Sequence, residues 1–151
     1  MTISIDLEQP TQPEAERLLA QSEAFSSSLY PPESCHIASA DTLAGENARF
    51  FIARSDGRAV GCGALVLADG YGEIKRMFVD SSMRGQGLGR TLLETIEGCA
   101  RAEGIDLLRL ETGFRNAEAV ALYERAGYGR RGPFGAYWPD PLSIFMEKRL
   151  R

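Results

Sequence analysis

The fold of this chain is decided by the stretch Met77–Ala100, which reads MFVDSSMRGQGLGRTLLETIEGCA. An extended apolar run ends at Val79, a turn follows, and Gly85, Gly87 and Gly89 lead directly into an amphipathic helix. Glycines let a backbone approach a bulky anion and adopt positive φ, while the free N–H groups at a helix start attract negative charge. This order of strand, glycine loop and helix predicts an anion cradle, and phosphate is the expected anion.

The helix after the glycine loop is indicated by Leu88, Leu92, Ile96 and Ala100, which recur at every fourth position. The glycines fit neither common nucleotide pattern. Leu88–Thr91 lacks the Lys-Ser/Thr that ends a Walker loop, and the dinucleotide fingerprint also fails. Binding of ATP or GTP by this loop is therefore the weakest of the functional alternatives.

Length and composition predict one domain that spans residues 1–151. The chain has 151 residues and 44% hydrophobic content, which is enough for a substantial core, and no shift in composition marks a boundary. Its formal net charge of -4 argues against general nucleic-acid binding. The start MTISIDLEQP lacks the pattern of an export signal and no stretch is long enough to span a bilayer, so we expect a cytoplasmic protein without a membrane partner.

The sequence indicates neither metal nor disulfide chemistry. Cys35, Cys62 and Cys99 are odd in number and widely spaced, which fits neither a disulfide framework nor a zinc site. The single histidine, His36, does not stand in a recognisable metal-ligand pattern, so we expect an ordinary loop role for it. The predicted metal content is none.

The first third of the chain predicts a strand, a helix and an irregular segment. Ile3–Leu7 alternates apolar and polar residues as a strand does, and Thr11–Glu14 is typical of a capping box that begins a helix. Ser26–Ser28 is predicted to end that helix. Leu29–Asn47 gives mixed signals, with a short helical turn at Asp41–Ala44, and we expect this segment to lie on the substrate side.

Three β-rich runs follow and predict an antiparallel meander. They are Arg49–Arg54, Ala59–Leu67 and Gly72–Val79, and Asp56-Gly57 between the first two is a strong hairpin signal. Strict alternation along the third run predicts that one face of the strand carries Glu73, Lys75, Met77 and Val79.

The remainder of the chain predicts a crossover, a helix and two final strands. Leu107–Glu111 is a strand, and the intervening helix makes it a parallel neighbour of the third run. Asn116 is predicted to cap a helix that Gly127 closes. The last two strands are expected at Tyr128–Arg131 and Ser143–Lys148.

Two blocks of the sequence resemble the Gcn5-related N-acetyltransferase (GNAT) superfamily. Arg84–Gly89 matches the pattern R-x-x-G-x-G of that family's acyl-coenzyme A pyrophosphate loop. Leu110–Gly113, followed by Asn116 and Tyr123, resembles the block in which an asparagine opens the helix after the fifth main strand and a tyrosine lies two turns along it. The resemblance covers Arg49–Lys148, about two thirds of the chain. The loop that begins PFGAY is similar to that of a bacterial small-molecule-type subgroup.

The resemblance implies an α/β (α+β layered) fold with a mixed, mostly antiparallel sheet of about six or seven strands and about four flanking helices. It implies that strands four and five splay apart, and that the pantetheine arm of acetyl-CoA lies between them against the backbone of Met77, Phe78 and Val79. The residues implied to hold the pyrophosphate are Arg84, Gly85, Gln86, Gly87, Leu88 and Gly89.

The activity that the resemblance implies is transfer of an acetyl group from acetyl-CoA to a primary amine, by direct attack in a ternary complex. Tyr123 matches the family's general acid, which protonates the departing sulfur, although the helix pattern alone favours a packing role. Glu73 is favoured as the base, and Glu111 or a relay water is the alternative. Asn116 is a helix cap or a contact to coenzyme A, and one side chain cannot fully serve both purposes.

The acceptor is predicted to be a small-molecule amine or a peptide amine. The residues expected to bind it are Tyr30, Glu111, Tyr137 and Trp138. The loop Pro133–Pro141 also offers the apolar face of Phe134, and its prolines limit its freedom. A surface cluster or a homodimer contact is the alternative for these aromatic residues.

The main alternative function is a non-catalytic acyl-CoA-binding or regulatory module, because a fold does not fix a function. The retained Tyr123 argues against it. No cysteine lies where a nucleophile is expected, which favours direct transfer over a covalent enzyme intermediate.

Overall fold

A computed structural model describes residues 2–35 and 37–150, so the role predicted for His36 lies outside the described residues. Within these ranges the chain forms seven strands and four α-helices around one sheet. The strands are β1 (Ile3–Leu7), β2 (Ala48–Ser55), β3 (Arg58–Ala68), β4 (Tyr71–Val79), β5 (Leu107–Gly113), β6 (Gly129–Arg131) and β7 (Ser143–Arg149). The helices are α1 (Pro13–Leu29), α2 (Ala40–Leu43), α3 (Leu88–Ala102) and α4 (Ala117–Arg125), and short 3-10 turns lie at Pro32–Ser34 and Ser81–Met83.

The strand order in the sheet is β1-β2-β3-β4-β5-β7-β6, and β4 pairs with β5 in parallel. The meander from β2 to β4 and the crossover through α3 are therefore confirmed. The first hairpin turns at Asp56 and Gly57 with φ of 49 and 88, the positive values that a two-residue hairpin turn requires. This mixed, mostly antiparallel sheet confirms the predicted α/β fold. That residues 1–151 form one domain stays a prediction.

Apolar side chains cover both faces of the sheet. On one face Leu92 and Ile96 of α3 pack with Leu108 of β5, and on the other Leu18 of α1 packs with Ile52 of β2. All five side chains are almost completely buried. Burial of such a side chain contributes roughly 1.5–3 kcal/mol relative to exposure. The predicted apolar stripe of α3 is confirmed, and it anchors the helix that follows the glycine loop.

A β-bulge in β4 interrupts its pairing with β3. Ala64 pairs with Lys75, but Cys62 pairs with Phe78, so β4 contains one residue more than β3 over this interval. Arg76 is the bulged residue and has a positive φ of 58. The pairing of β4 with β5 also stops just before this point.

The bulge makes the predicted alternation of β4 wrong. Ile74 and Met77 both pack against the α3 cluster, although strict alternation would put residues three positions apart on opposite faces. Glu73 and Lys75 flank Ile74 and point away from that cluster, whereas Val79 packs against it. The extra residue reverses the facing of every side chain after it.

The parallel pairing of β4 and β5 is short, and the two strands separate beyond it. The register runs from Gly72 opposite Leu108 to Ile74 opposite Leu110 and goes no further within the described residues. This confirms the splay between the fourth and fifth strands. The edges that the separated strands turn toward each other border the candidate site.

Both ends of α1 differ from the prediction. The N-cap is Gln12, whose side chain makes no capping hydrogen bond and instead donates from its amide nitrogen to Glu8 and to the Gln9 carbonyl. The predicted capping box is therefore wrong. The helix also continues through the three serines to Leu29, and it ends there because the residue before Pro31 is driven out of the helical region.

Candidate active site

Two adjoining cavities open where β4 and β5 separate. We call one the loop cavity, which is lined by Met77, Phe78, Val79, Arg84, Gly85, Gly87, Leu88 and Gly89. We call the other the carboxylate cavity, which is lined by Tyr30, Cys35, Ile37, Glu73, Lys75, Glu111 and Tyr137. The residues that border both are Ser22, Phe25, Ser26, Met77, Asn116, Ala119 and Tyr123. A molecule with one end in each cavity would thus pass Tyr123.

The glycine turn beside the loop cavity has the geometry of an anion cradle. Gly85 and Gly87 have positive φ of 77 and 76, and a Cβ at either position would meet no atom within 4 Å. Gly87 directly precedes α3, and neither a side-chain cap nor an acidic residue occupies the first turn of that helix. The N–H groups at the helix start are therefore available to an anion such as a diphosphate.

Gly89 has a different function in the same turn. A Cβ at this position would lie 3.3 Å from Leu122 of α4, tighter than an ordinary contact. Leu88 is buried against the α3 cluster. The side chain of Gln86 borders a separate groove beside Ile3 and Thr91, so the structure does not bring it into the loop cavity.

Arg84 lies at the mouth of the loop cavity, where it is able to meet an anion. Its guanidinium is 3.5 Å from Glu118 and lies 5.7 Å from the centroid of the Phe25 ring. Both charged side chains are substantially exposed, so this ion pair contributes little and separates easily.

Tyr123 projects from α4 between the two cavities, and only 5% of its surface is exposed. Burial, and secondarily the charge of Glu111, raises the pKa of its phenol well above the ordinary value, so the hydroxyl keeps its proton at neutral pH. Its ring contacts the ring of Tyr128 edge to face, with centroids 5.8 Å apart. Tyr128 is fixed in turn by a 2.7 Å hydrogen bond that its hydroxyl donates to Glu97.

Asn116 caps α4 and also borders both cavities. Its Oδ1 accepts a hydrogen bond of 3.4 Å from the N–H of Ala119, which confirms the predicted cap. At the other end of the helix Gly127 has a positive φ of 97, as predicted for a closing glycine. Because the cap engages only the amide oxygen, the contact to coenzyme A stays a prediction beside it.

Glu73, Tyr137 and Lys75 form a hydrogen-bonded cluster in the carboxylate cavity. The Tyr137 hydroxyl donates to Glu73 Oε2 at 2.5 Å and accepts from Lys75 Nζ at 2.7 Å, and Lys75 Nζ lies 3.4 Å from the same carboxylate oxygen. Burial and the bond to Glu73 raise the pKa of the Tyr137 phenol above its ordinary value. The structure thus brings together residues from β4 and from the loop before β7.

Glu111 and Tyr30 lie on the opposite wall of the carboxylate cavity. Glu111 Oε2 accepts a 2.7 Å hydrogen bond from the Ser143 hydroxyl. The Tyr30 hydroxyl accepts from the backbone N–H of Arg115 at 3.0 Å, and its ring covers Gly113, where any Cβ would collide with it. Burial raises the pKa of Tyr30. Glycine at position 113 therefore leaves the space that Tyr30 fills.

The loop between β6 and β7 only partly meets its prediction. Phe134 is 5% exposed and packs edge to face against Tyr71, Tyr137 and Phe145, so it is a core residue and its predicted acceptor contact is wrong. Trp138 is 47% exposed and lines neither cavity. The loop folds back onto the sheet through Phe134, and this directs Tyr137 inward.

Lys75, Arg76 and the α1 residues Ser22 and Phe25 were not predicted to belong to the site. The charges of Lys75 and Arg76 were visible in the sequence, but the bulge at Arg76 was not. The wall formed by α1 carries no chemical signature, since a serine and a phenylalanine are ordinary on a helix surface.

Two further properties concern the part of the chain that the structure describes. Its His, Cys, Asp and Glu side chains form no group of three or more that could hold a metal ion. None of the helices found there is both long enough and apolar enough to cross a membrane.

Comparisons with known proteins match the family and the fold. The model of the acetyltransferase (GNAT) family matches residues 12–128. An IAA acetyltransferase of Azospirillum brasilense is 48% identical over 150 residues, which are 98% of each chain. A crystal structure from Klebsiella pneumoniae, assigned as an acyl-CoA N-acyltransferase, is 40% identical over 99% of each chain with a TM-score of 0.85.

A more distant structure shares the fold. The PaiA N-acetyltransferase of Thermoplasma acidophilum, solved in complex with coenzyme A, is 20% identical over 99% of each chain with a TM-score of 0.75. The family model spans most of the chain, and the Azospirillum relative matches nearly all of it. The chain therefore belongs to the acetyltransferase (GNAT) family and is an acyl-CoA-dependent N-acetyltransferase.

Proposed function

We propose that the protein transfers the acetyl group of acetyl-CoA to a primary amine of a small molecule or a peptide, by direct attack in a ternary complex. The observation that carries this proposal is the position of Tyr123, which borders both cavities and keeps its proton through burial. A general acid must reach the sulfur from which the acetyl group departs. In this arrangement that sulfur lies where the cavities meet.

The loop cavity is the site proposed for coenzyme A. The N–H groups around Gly85 and Gly87 receive the pyrophosphate, and Arg84 exchanges its weak pair with Glu118 for a phosphate oxygen. The separated edge of β4 at Met77, Phe78 and Val79 offers backbone groups to the pantetheine arm. No protein atom within 4 Å of a Cβ at either glycine obstructs an anion there.

The carboxylate cavity is the site proposed for the acceptor. An amine enters as an ammonium ion and must lose a proton before it attacks the thioester carbonyl. Glu73 is the proposed base, and Tyr137 and Lys75 fix its Oε2. Glu111 on the opposite wall is the alternative base, and it holds the ammonium ion if Glu73 takes the proton.

The reaction forms a bond between the amine nitrogen and the carbonyl carbon and breaks the bond between that carbon and sulfur. Glu73 takes the proton of the amine, directly or through a water, and Tyr123 gives its proton to the departing thiolate. A backbone N–H at the separated edge of β4 stabilises the oxyanion. Tyr30 and Tyr137 form the walls against which the acceptor rests.

Incubation with acetyl-CoA and a panel of amines, with free thiol release as the readout, tests the proposal. The panel contains butylamine, phenethylamine, putrescine, free amino acids, a dialanine peptide and a lysine peptide. We expect thiol release above the amine-free rate with at least one class, and acetylated product by mass spectrometry.

The controls separate this function from its main alternative. Calorimetry with coenzyme A on the same protein measures binding without catalysis. Tight binding without thiol release from any amine would support a non-catalytic acyl-CoA-binding module, which the family relatives do not favour. Absence of coenzyme A binding would contradict the placement of the cofactor in the loop cavity.

A further inference from the structure

Arg76, at the bulge of β4, has a backbone conformation that its residue type seldom adopts. Its φ of 58 lies in the left-handed region, where non-glycine residues are uncommon. Such a conformation persists only where the surrounding structure holds it, and it is often found at functional sites. The contacts of the Arg76 side chain and carbonyl show what holds it.

The guanidinium of Arg76 joins β4 to two other segments. One nitrogen donates to the Ala38 carbonyl at 2.6 Å, and the other donates to the Leu19 carbonyl of α1 at 3.0 Å and lies 3.5 Å from Glu23. The side chain is 6% exposed. A buried cation is tolerated only when its donors are satisfied, so these contacts keep α1 and the segment around Ala38 against the bulge.

The backbone of Arg76 is held from inside the sheet. The thiol of Cys62 donates to the Arg76 carbonyl at 3.3 Å. Burial raises the pKa of this thiol to about 12, so it keeps the proton that it donates. The bulge is therefore fixed on its carbonyl side by β3 and on its side-chain side by α1.

The fixed position of Leu19 determines where the following turns of α1 lie. Ser22, Phe25 and Ser26 come one and two turns later and border both cavities, while Ile37 borders the carboxylate cavity. We propose that Arg76 is a positioning residue that clamps the second half of α1 over the gap between β4 and β5, and so sets the width of both cavities. This inference rests on the proposed function, in which those cavities hold coenzyme A and the acceptor.

Three substitutions of Arg76 separate its side chain from its backbone. Arg76→Gly removes the guanidinium while allowing positive φ without strain. Arg76→Met removes the guanidinium but keeps a long apolar side chain, and Arg76→Lys keeps a cation that can bind fewer acceptors. Arg49→Met is the matched control. Arg49 also binds a carboxylate, Glu103 at 2.8 Å, and a carbonyl, and it lines neither cavity.

The first measurements are hydrogen exchange of the amides of residues 20–29 and calorimetry with coenzyme A. We expect Arg76→Gly and Arg76→Met to speed exchange in this segment roughly tenfold and to raise the Kd for coenzyme A several-fold, because local opening precedes exchange and misplaces the α1 wall. Arg76→Lys is expected between wild type and these variants. Arg49→Met should change neither quantity.

Kinetics on the panel amine that the wild type acetylates fastest supply the second readout. The Arg76 variants should raise the KM for that amine by a larger factor than they lower kcat, because the acceptor walls move while Tyr123 stays on α4. If Arg76 contributed to stability alone, its variants would lower Tm without raising KM by a larger factor than they lower kcat.

Two results would overturn the clamp. One is an Arg76→Gly variant whose hydrogen exchange and affinity for coenzyme A equal those of wild type. The other is an Arg49→Met variant in which exchange and affinity change as much as in Arg76→Gly. If Arg76→Gly and Arg76→Met do not fold, Arg76→Lys decides the matter, and unchanged exchange in residues 20–29 of that variant would reject the clamp. If wild type binds coenzyme A and the Arg76 variants behave like wild type, only the clamp is rejected. If wild type does not bind coenzyme A, the proposed function is rejected.

Discussion

The loop cavity and the carboxylate cavity adjoin each other but are built in different ways. The loop cavity takes its anion cradle from one continuous stretch, 84–89, and offers mainly backbone groups. The carboxylate cavity is built from side chains far apart in sequence: Tyr137 binds Glu73 across 64 positions, and Tyr30 binds the backbone of Arg115 across 85. A backbone site survives most side-chain changes, whereas a side-chain network depends on each of its members.

Tyr123→Phe should have the largest effect, because Tyr123 serves both cavities. We expect kcat to fall about a hundredfold or more with the fastest panel amine, since the proposed general acid is lost while the ring still packs. The Kd for coenzyme A should stay within about twofold of wild type.

Tyr128→Phe is the control for Tyr123. It removes the hydroxyl that binds Glu97, so it should lower stability by about 1–3 kcal/mol with a much smaller effect on kcat. Equal kcat in Tyr123→Phe and wild type, with chemistry shown to limit the rate, would leave Tyr123 as a packing residue.

Gly87→Asp tests the backbone cradle. Its carboxylate would stand where the pyrophosphate is proposed to bind, and like charges brought together cost several kcal/mol, so we expect the Kd for coenzyme A to rise about a hundredfold. Calorimetry on the folded variant measures this.

Gly70→Asp is the matched control for Gly87→Asp. Gly70 also has positive φ, 84, and open space around its Cβ, but it lies in the hairpin before β4. It adds the same charge and the same backbone strain without reaching the cavity, so its affinity for coenzyme A should match wild type. If both variants bound coenzyme A equally weakly, the loss of affinity would be due to backbone strain or net charge.

Tyr137→Phe tests the side-chain network. It removes the hydroxyl that joins Lys75 to Glu73, and we expect kcat/KM for the amine to fall by the equivalent of about 1–3 kcal/mol. The Kd for coenzyme A should not change. Sedimentation of the variant tests the alternative that the loop is a homodimer contact. A shift from dimer to monomer with unaltered amine kinetics would identify the loop as that contact.

Trp138→Ala should have the smallest effect. The sequence predicts an acceptor contact for Trp138, but its side chain is half exposed and lines neither cavity. We expect the KM for the amine to change by less than about threefold, as for most exposed positions. A larger rise in KM would show that an acceptor reaches beyond the carboxylate cavity.

Sequence patterns predicted the elements of the fold well where one local rule decides the outcome. The stripe of α3, the turn at Asp56 and Gly57 and the cap at Asn116 each depend on residues within a few positions. The patterns failed where a feature that the local rule does not include decides the outcome. Gln12 stands at the N-cap of α1 and its side chain makes no capping hydrogen bond, and the bulge at Arg76 reverses the facing of the side chains in the second half of β4.

The sequence by itself determined the glycine turn beside the loop cavity, where coenzyme A is proposed to bind, because a glycine turn followed by a helix start needs only neighbouring residues to present its N–H groups. It also indicated the family and the position of Tyr123. Only the tertiary structure decided the carboxylate cavity, where the acceptor is proposed to bind. Whether Tyr137 points inward and Trp138 outward depends on Phe134 packing under their loop, and the α1 wall depends on Arg76 reaching Leu19. Such contacts join residues far apart in the chain, so they exist only once the core has brought those segments together.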